Sequence, residues 1–317
     1  MKANYHTHTP RCRHAVGREE EYIDKAIAEG LEVLGFSDHT PQFYDNFVSP
    51  IRMLPEEAKE YFDNAERLKR EYEGKIELYF GFETEYHPAI WDKLMALYRT
   101  LPVDYLILGQ HHYNERSESE RTSAFSYSDD PEKFKKYMAN ITEAVRSGAF
   151  SAVAHPDVCF FTGDEALYRE ECEKFIRECV RLDIPLEINL GGMRTSRLFP
   201  TKEYWLAAAR YYAEEIGNPD IDLTEPQHAR RGLELARKKE AAGEAIPDAL
   251  RGARSGRHYP NPIFWEIAGR LGARAIIGCD AHKPSEVADP EDLSEGEAFA
   301  KKYGIELIDR IELRRPR

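Results

Sequence analysis

The chain has 317 residues, 42% of them hydrophobic, and a formal net charge of −13. This hydrophobic share is ordinary for a globular protein, and an α/β barrel reaches this length as a single unit. The negative charge argues against a general nucleic-acid or membrane surface, because anionic partners repel it at long range. A basic pocket for one small phosphate is compatible with it. No apolar run approaches the ~20 residues of a membrane span. Five cysteines without paired zinc-type spacing are typical of reduced thiols. We therefore expect a soluble, cytoplasmic protein.

Short apolar runs alternate with longer amphipathic stretches along the chain. The strand candidates are Ala3–His8, Glu32–Ser37, Ile76–Phe82, Tyr105–Gly109, Ser151–Ala154, Leu186–Leu190 and Ala275–Gly278. The helix candidates between them include Glu19–Glu29, Pro55–Glu73, Pro88–Arg99, Pro131–Ser147 and Glu165–Leu182. Most of these strands are short and rich in Val, Ile, Leu and Tyr, as buried parallel strands are. The strand–helix repeats predict an α/β fold, either a barrel or a doubly wound sheet.

Almost every predicted strand ends in residues that can bind a metal or move a proton. The strand ends read YHTHT, FSDH, GFETEY, GQHHY, AHPD, EINLGG and GCDAH in chain order. Barrel active sites are built at the carboxyl ends of several strands. The pattern therefore favours the barrel and predicts a site at that end.

Two segments depart from the short connections of an α/β fold. Asn114–Asp130 is polar and predicts a surface loop or a lid. A helix-rich insertion is expected at about 213–257. A local repeat overlaps this region, because Gly192–Pro200 is similar to Gly252–Pro260 at a constant offset. We interpret it as a duplicated loop–helix segment, in which one copy keeps the original role and the other covers the site.

Histidines and carboxylates at the strand ends form a metal-ligand pattern. His6 and His8 alternate on one strand, so both side chains should lie on the same face of the sheet. A lone His-x-His motif is weak evidence for a metal site. It is followed by further ligand-type residues, which are His14, His39, Glu83, His111, His155, Asp280 and His282. Imidazole nitrogen and carboxylate oxygen suit Zn, Fe or Mn, whereas a purely structural zinc site would favour thiolates.

In this order the motifs resemble those of the polymerase and histidinol phosphatase (PHP) superfamily, in its histidinol-phosphatase branch. The most family-specific stretch is YHTHT…RCRHA…EEYIDKAIAEGLEVLGFSDHTP, and GFETEY, GQHHY, AHPD and GCDAH extend the pattern over nearly the whole chain. The resemblance implies one domain over 1–317, folded as a distorted (β/α)7 TIM-like barrel with a metal site at the carboxyl ends of its strands. It also implies two to three divalent metal ions (Zn, Fe or Mn).

The resemblance further implies which residues hold each metal ion. The sets are His6, His8, Glu83 and Asp280 for the first ion, Glu83, His111 and His155 for the second, and His14, His39 and His282 for the third. Glu83 would bridge the first two ions. Neighbouring divalent cations lower the pKa of water toward ~7. They suit phosphate monoesters, whose uncatalysed hydrolysis is among the slowest known reactions.

Asp38 is the candidate general acid for the leaving group. The alternative is that Asp38 orients the adjacent His39 by a hydrogen bond. His112 is a weaker candidate for substrate contact, because on a strand it would point away from His111.

Arginine is expected to grip the phosphate, since its planar donors match phosphate oxygens. Arg194 lies just past the strand end EINLGG, and the stretch from Asn189 to Arg194 resembles the family's Asn-x-x-Gly-x-Arg pattern. Arg197, Arg254 and Arg257 compete with it because of the local repeat, and only one or two of the four can reach the site.

The expected function is hydrolysis of L-histidinol phosphate to L-histidinol and phosphate by attack of a metal-bridging hydroxide. This reading implies a small phosphorylated substrate and no nucleic-acid or membrane partner, and it leaves the oligomeric state open. One alternative is another phosphoesterase of the superfamily, acting on nucleotide or sugar phosphates through a rim reshaped by the insertion. The other is a non-catalytic scaffold, which degraded ligand motifs would indicate. Here competent ligands fill every expected position.

Overall fold

The computed structural model describes residues 1–41, 49, 51–112, 123–125, 128–159, 161, 163–198, 202–241, 244–250 and 259–316. Within these residues, eight parallel strands form one sheet whose spatial order is the chain order. The strands are β1 (Ala3–Asn4), β2 (Val33–His39), β3 (Glu77–Thr84), β4 (Leu106–Leu108), β5 (Ala152–Val153), β6 (Leu186–Asn189), β7 (Arg274–Gly278) and β8 (Glu306–Leu307). The longest pairing joins β2 and β3 and sets His39 opposite Glu83.

Helices connect and cover the strands. In the described part of the chain they are α1 (Glu19–Ala28), α2 (Ala58–Glu71), α3 (Trp91–Tyr98), α4 (Pro131–Arg146), α5 (Glu165–Leu182), α6 (Leu190–Leu198), α7 (Lys202–Glu215), α8 (Pro226–Ala241), α9 (Pro262–Arg270) and α10 (Pro290–Tyr303). Asp130, Asp164 and Asp289 cap α4, α5 and α10, because each carboxylate accepts a backbone N–H of the first turn. The five helices predicted from the sequence are confirmed, with ends that differ by a few residues.

The edge strands of the sheet make different contacts at the two ends of the barrel. At the carboxyl end Thr7 and Ala281 form an isolated parallel bridge, and His8 N donates to Ala281 O at 2.9 Å. At the amino end β8 pairs with the start of β7, and Lys2 N donates to Asp309 Oδ1 at 2.6 Å. The result is a distorted TIM-like barrel with β8 between β1 and β7 at one end. The expected count of seven strands is therefore wrong. Both residues of β8 are exposed, so no buried apolar run marks this strand.

The first strand is shorter than predicted, because its backbone turns to present the histidines. The Asn4 side chain accepts from His6 N at 3.3 Å and from Cys279 N at 2.9 Å. Its amide nitrogen donates to Thr7 Oγ1 at 2.6 Å. The buried asparagine thus replaces ladder bonds that β1 does not make and ties β1 to the end of β7.

Apolar side chains fill the barrel interior toward its amino end. Tyr5, Tyr105 and Ile107 are buried there, and Ile308 and Ile311 of the chain after β8 pack against them. The Tyr105 hydroxyl donates to Tyr5 O at 2.7 Å. The polar side chains of the barrel therefore gather at the opposite, carboxyl end.

Helices α7 and α8 pack on each other around their own hydrophobic cluster, which includes Trp205, Ala208 and Leu233. The predicted insertion at about 213–257 includes the end of α7 and all of α8. That this segment is an insertion into the barrel domain remains a prediction. Residues 251–258, most of the second copy of the local repeat, lie outside the described residues. None of the described helices combines the length and apolarity needed to cross a membrane.

Candidate metal centre

The nine side chains predicted as metal ligands lie close together at the carboxyl end of the barrel. They come from the ends of β1 to β5 and β7 and from the loops that follow. Six of them form what we name the carboxylate-rich cluster: His6, His8, Glu83, His111, His155 and Asp280. The other three form the imidazole cluster: His14, His39 and His282.

Glu83 lies at the centre of the carboxylate-rich cluster and is 1% exposed. Its Oε1 is 2.7 Å from His155 Nε2 and 3.2 Å from His111 Nε2. The same oxygen is 3.7 Å from His6 Nε2. Its Oε2 is 2.8 Å from His39 Nδ1, at the border of the imidazole cluster. One carboxylate therefore faces groups from four other strand ends, as a bridging ligand would.

His6 and His8 lie side by side, as their alternation predicts. Their Nε2 atoms are 3.2 Å apart, and both rings are buried. Asp280 Oδ1 approaches from β7, at 3.5 Å from His6 Nε2 and 3.3 Å from His8 Nε2. These three groups converge on one small volume with one carboxylate and two imidazoles.

The backbone around the carboxylate-rich cluster is adapted to it at three positions. A Cβ on Gly109 would collide with Glu83 Oε1, so the β4 backbone can approach the carboxylate only because residue 109 is glycine. His155 and Asp280 adopt positive φ angles of 27° and 45°. Non-glycine residues in this region carry strain that surrounding contacts must offset, and such strain is typical of functional sites.

The imidazole cluster lies on the more open side of the centre. His14 Nε2 and His282 Nε2 are 2.9 Å apart, and the His14 and His39 ring centroids are 5.3 Å apart. His14 Nδ1 lies 2.7 Å from Cys12 O. If that nitrogen donates, Nε2 is left to face His282. Three neutral imidazoles with this approach form a nitrogen-only donor set.

The Cys12 sulfur also lies near ligand atoms of His8 and His282. Burial raises the pKa of this thiol, and the Asp38 carboxylate adds to the effect. A neutral thiol is a poor metal ligand, because the thiolate is the coordinating form.

The carboxylates set the charge of the carboxylate-rich cluster. Burial disfavours a charged His6, but Glu187, Asp280 and Glu83 outweigh burial and hold its pKa well above the usual value. Burial also opposes the charge of His111, and Glu83 overcomes it to raise the His111 pKa to about 9. Burial would raise the pKa of Glu83, but neighbouring imidazoles keep it well below its usual range. Without metal, His6 and His111 are therefore buried, protonated partners of the carboxylates.

The imidazole cluster has the opposite tendency. Burial lowers the pKa values of His14, His39 and His282, and repulsion from His8 lowers them further. These three rings are neutral at pH 7 and can accept a metal without losing a proton.

Glu85 directly follows β3, and its fully buried carboxylate contacts the rings of His111 and His112. It lies 3.1 Å from His111 Nδ1 and 2.9 Å from His112 Nδ1, and Arg52 Nη2 donates to it at 2.9 Å. The expectation that His112 points away from His111 is therefore wrong. Strand β4 ends at Leu108, so strand alternation does not reach these two residues. A lone acidic residue two positions after Glu83 was the only sequence signal for this arrangement.

Asp38 is fully buried and accepts two hydrogen bonds. The donors are the Thr9 hydroxyl and, at 2.8 Å, His39 N. Its Oδ1 also lies 3.6 Å from His8 Nδ1. These contacts fit the orienting alternative, with His8 rather than His39 as the ring that Asp38 faces. The general-acid role stays a prediction.

Arg194 lies on α6 at the edge of the site, next to the loop that carries Asp280. Its Nη2 donates to Cys279 O at 2.7 Å and to Asp280 O at 3.1 Å. Its Nη1 donates to Asp292 Oδ2 at 2.8 Å. The guanidinium thus holds this loop, which sequence reasoning did not foresee. The Arg197 side chain, Arg254 and Arg257 lie outside the described part of the chain.

The donor set fits divalent metal ions. Imidazole nitrogens and carboxylate oxygens from the chain lie within 4.8 Å of one another in several overlapping groups, among them His6–His8–Asp280, His6–Glu83–His155 and His14–His39–His282. Glu83 Oε2 is buried and makes no well-directed hydrogen bond to a described residue, despite the nearby His39 ring. A buried carboxylate oxygen without such a bond is costly unless a cation satisfies it.

The PHP domain model matches residues 4–190. The chain belongs to the PHP domain family.

Several similar proteins carry one enzyme name. A protein of Deinococcus radiodurans named probable histidinol-phosphatase is 31% identical over 286 residues, which cover 89% of this chain and 86% of that protein. The histidinol-phosphatase of Lactococcus lactis is 22% identical, over 72% of this chain and 84% of that protein. The crystal structure of the Lactococcus lactis histidinol phosphate phosphatase, complexed with zinc, L-histidinol and phosphate, is similar with a TM-score of 0.59. It is 18% identical and covers 98% of both chains. The structural likeness supports the distorted TIM-like fold.

Proposed function

We propose that this chain is a metal-dependent phosphomonoesterase that hydrolyses L-histidinol phosphate to L-histidinol and phosphate. The observation that carries the proposal is the position of Glu83, whose two oxygens face histidines from four other strand ends in a buried cluster. The names of the relatives support this substrate, because one of them is more than 30% identical over most of the chain.

The carboxylate-rich cluster would hold two divalent ions, with Glu83 shared between them, and the imidazole cluster would hold a third. Zinc, iron and manganese all suit this donor set. When bound, such ions would make water nucleophilic at neutral pH and neutralise phosphoryl oxygens. Two sites that share a carboxylate would suit an in-line displacement, because both the attacking and the leaving oxygen need stabilisation.

The chain's own residues then position the reactants. Asp280 and His155 reach the cluster through strained backbone that the barrel holds in place. Asp38 accepts a hydrogen bond from His39 N and lies 3.6 Å from His8 Nδ1. We further propose that it donates the proton to the leaving group, as the sequence predicts. Arg194 holds the loop of Asp280, and the phosphate contact predicted for it would use donors beyond the three hydrogen bonds described above.

The test is phosphate release from L-histidinol phosphate by metal-replete protein, beside a panel of nucleotides and sugar phosphates. We expect a kcat/KM above ~10⁴ M⁻¹s⁻¹, the lower end of typical enzymes, for histidinol phosphate alone. Higher turnover of a nucleotide or a sugar phosphate would reassign the substrate within the same chemistry. No turnover of any phosphoester would favour the non-catalytic scaffold.

A further inference from the structure

Glu187 is a buried carboxylate of β6 that lies beneath the carboxylate-rich cluster. It is 1% exposed, and its Oε1 is 2.7 Å from His6 Nδ1. This contact uses the ring nitrogen opposite the one that faces His8 and Asp280. Glu187 therefore selects which nitrogen of His6 is presented to the cluster.

The second oxygen of Glu187 reaches a different strand end. Oε2 accepts from His155 N at 2.9 Å, and Asn189 Nδ2 donates to it at 2.8 Å. His155 is one of the two site residues with a positive φ angle. Glu187 thus holds the ring of one predicted ligand and the strained backbone of another.

The charge environment of Glu187 differs from that of Glu85. Glu85 has the fixed cation of Arg52 beside it. Among the residues that the structure describes, His6 is the ionisable partner of Glu187 within ion-pair distance. A buried carboxylate is costly without a compensating positive charge, and a cation bound through His6 would supply it. The β7 backbone also leaves room for Glu187, since a Cβ on Gly278 would collide with Glu187 Oε1.

We propose that Glu187 is a positioning residue that couples His6 and His155, and so sets the metal affinity of the carboxylate-rich cluster but not that of the imidazole cluster. The proposal rests on the proposed function for the presence of the metals. Carboxylates that accept the outer N–H of a ligating histidine fix its orientation and raise its basicity. In the sequence, only the apolar neighbours Leu186 and Ile188 distinguish Glu187 from a solvated strand residue.

The experiment is a competitive zinc titration of the metal-stripped full-length protein and its Glu187→Gln variant. We expect the equivalents held by the carboxylate-rich cluster to bind ~10–100-fold more weakly in the variant. The equivalent held by the imidazole cluster should keep its wild-type affinity. Glu19→Gln is the matched control, because Glu19 is a buried, paired glutamate that contacts Arg11 and Asn64.

Unchanged affinity in Glu187→Gln would overturn the proposal, and so would equal weakening of all equivalents. Gly278→Ala keeps Glu187 but displaces its carboxylate, and should weaken the same equivalents if the Gln variant does not fold. A second readout needs no metal: the NMR signal of the His6 Nδ1 proton, which faces Glu187 Oε1 at 2.7 Å, should lie further downfield in the wild type than in Glu187→Gln, because a carboxylate is a stronger acceptor than an amide oxygen. If the wild type binds none of zinc, iron and manganese, the proposed function fails, and this NMR comparison still decides whether Glu187 positions His6.

Discussion

The two clusters of the metal centre share histidine as their main donor but differ in what surrounds it. In the carboxylate-rich cluster the acidic neighbours raise the pKa values of His6 and His111. In the imidazole cluster burial and the charge of His8 lower those of His14 and His282. In the absence of metal, His6 and His111 are therefore protonated at pH 7, whereas His14 and His282 are neutral.

The largest effect is expected from Glu83→Gln, which removes the carboxylate shared within the carboxylate-rich cluster. Metal-ion stabilisation is worth several kcal/mol, and each 1.36 kcal/mol is tenfold in rate. We therefore expect kcat/KM for histidinol phosphate to fall by ~10³-fold. Bound zinc, measured by elemental analysis, should fall to the equivalent of the imidazole cluster. Wild-type metal content and turnover would contradict the central position of Glu83.

Arg194→Ala should be the next largest. The change removes the hydrogen bonds to Cys279 O and Asp280 O and the predicted phosphate contact. Loss of one group that stabilises developing charge costs ~10²–10³-fold in kcat. Steady-state kinetics with histidinol phosphate measures it, and Arg257→Ala is the comparison. If Arg257→Ala has the large effect and Arg194→Ala is silent, the second copy of the repeat provides the phosphate grip.

His14→Ala tests the imidazole cluster alone, because His14 is the most exposed of its three rings. We expect the loss of one metal equivalent and a fall in kcat/KM of ~10²-fold, at the lower end of the same range. The two equivalents of the carboxylate-rich cluster should remain bound. A variant that lost all its zinc would show that the clusters are not separable.

The smallest effect is a difference in pH dependence between the clusters. The raised pKa of His111, about 9, means that its ring is protonated at pH 7 and must lose this proton to bind metal. Zinc affinity of the carboxylate-rich cluster should therefore rise ~tenfold per pH unit, per displaced proton, up to about pH 9. The lowered pKa values of His14, His39 and His282 predict an affinity of the imidazole cluster that is nearly flat above about pH 6.5. Zinc titrations at pH 6, 7 and 8 measure the affinity of each cluster. An equal change of affinity with pH in both clusters would contradict the predicted difference.

The sequence predicts the parts of this fold that depend on local pattern. Short buried strands and capped helices have clear periodicity, and residues at parallel strand ends meet by geometry. The sequence therefore predicts that His6, His8 and Glu83 lie close together, as they do in the structure. The missed features depend on long-range contacts. Strand β8 is too short and exposed for a pattern. His111 and His112 converge because β4 ends early, and the reach of Arg194 to Asp292 joins residues 98 positions apart.

Glu187 is a further site residue whose role depends on long-range contacts and not on a local sequence pattern. Its strand was predicted, but a carboxylate inside a buried strand has no pattern that names its partners. The partners, His6 and the backbone of His155, become visible only when three strand ends are in place.

The most direct test of a metal-dependent phosphatase centred on Glu83 is phosphate release from L-histidinol phosphate by chelator-stripped protein as Zn²⁺ is added back stepwise. We expect no turnover in stripped protein and recovery as the carboxylate-rich cluster fills, whereas Glu83→Gln should not recover at any zinc concentration. Full turnover by the stripped wild type, or full recovery in Glu83→Gln, would contradict this expectation.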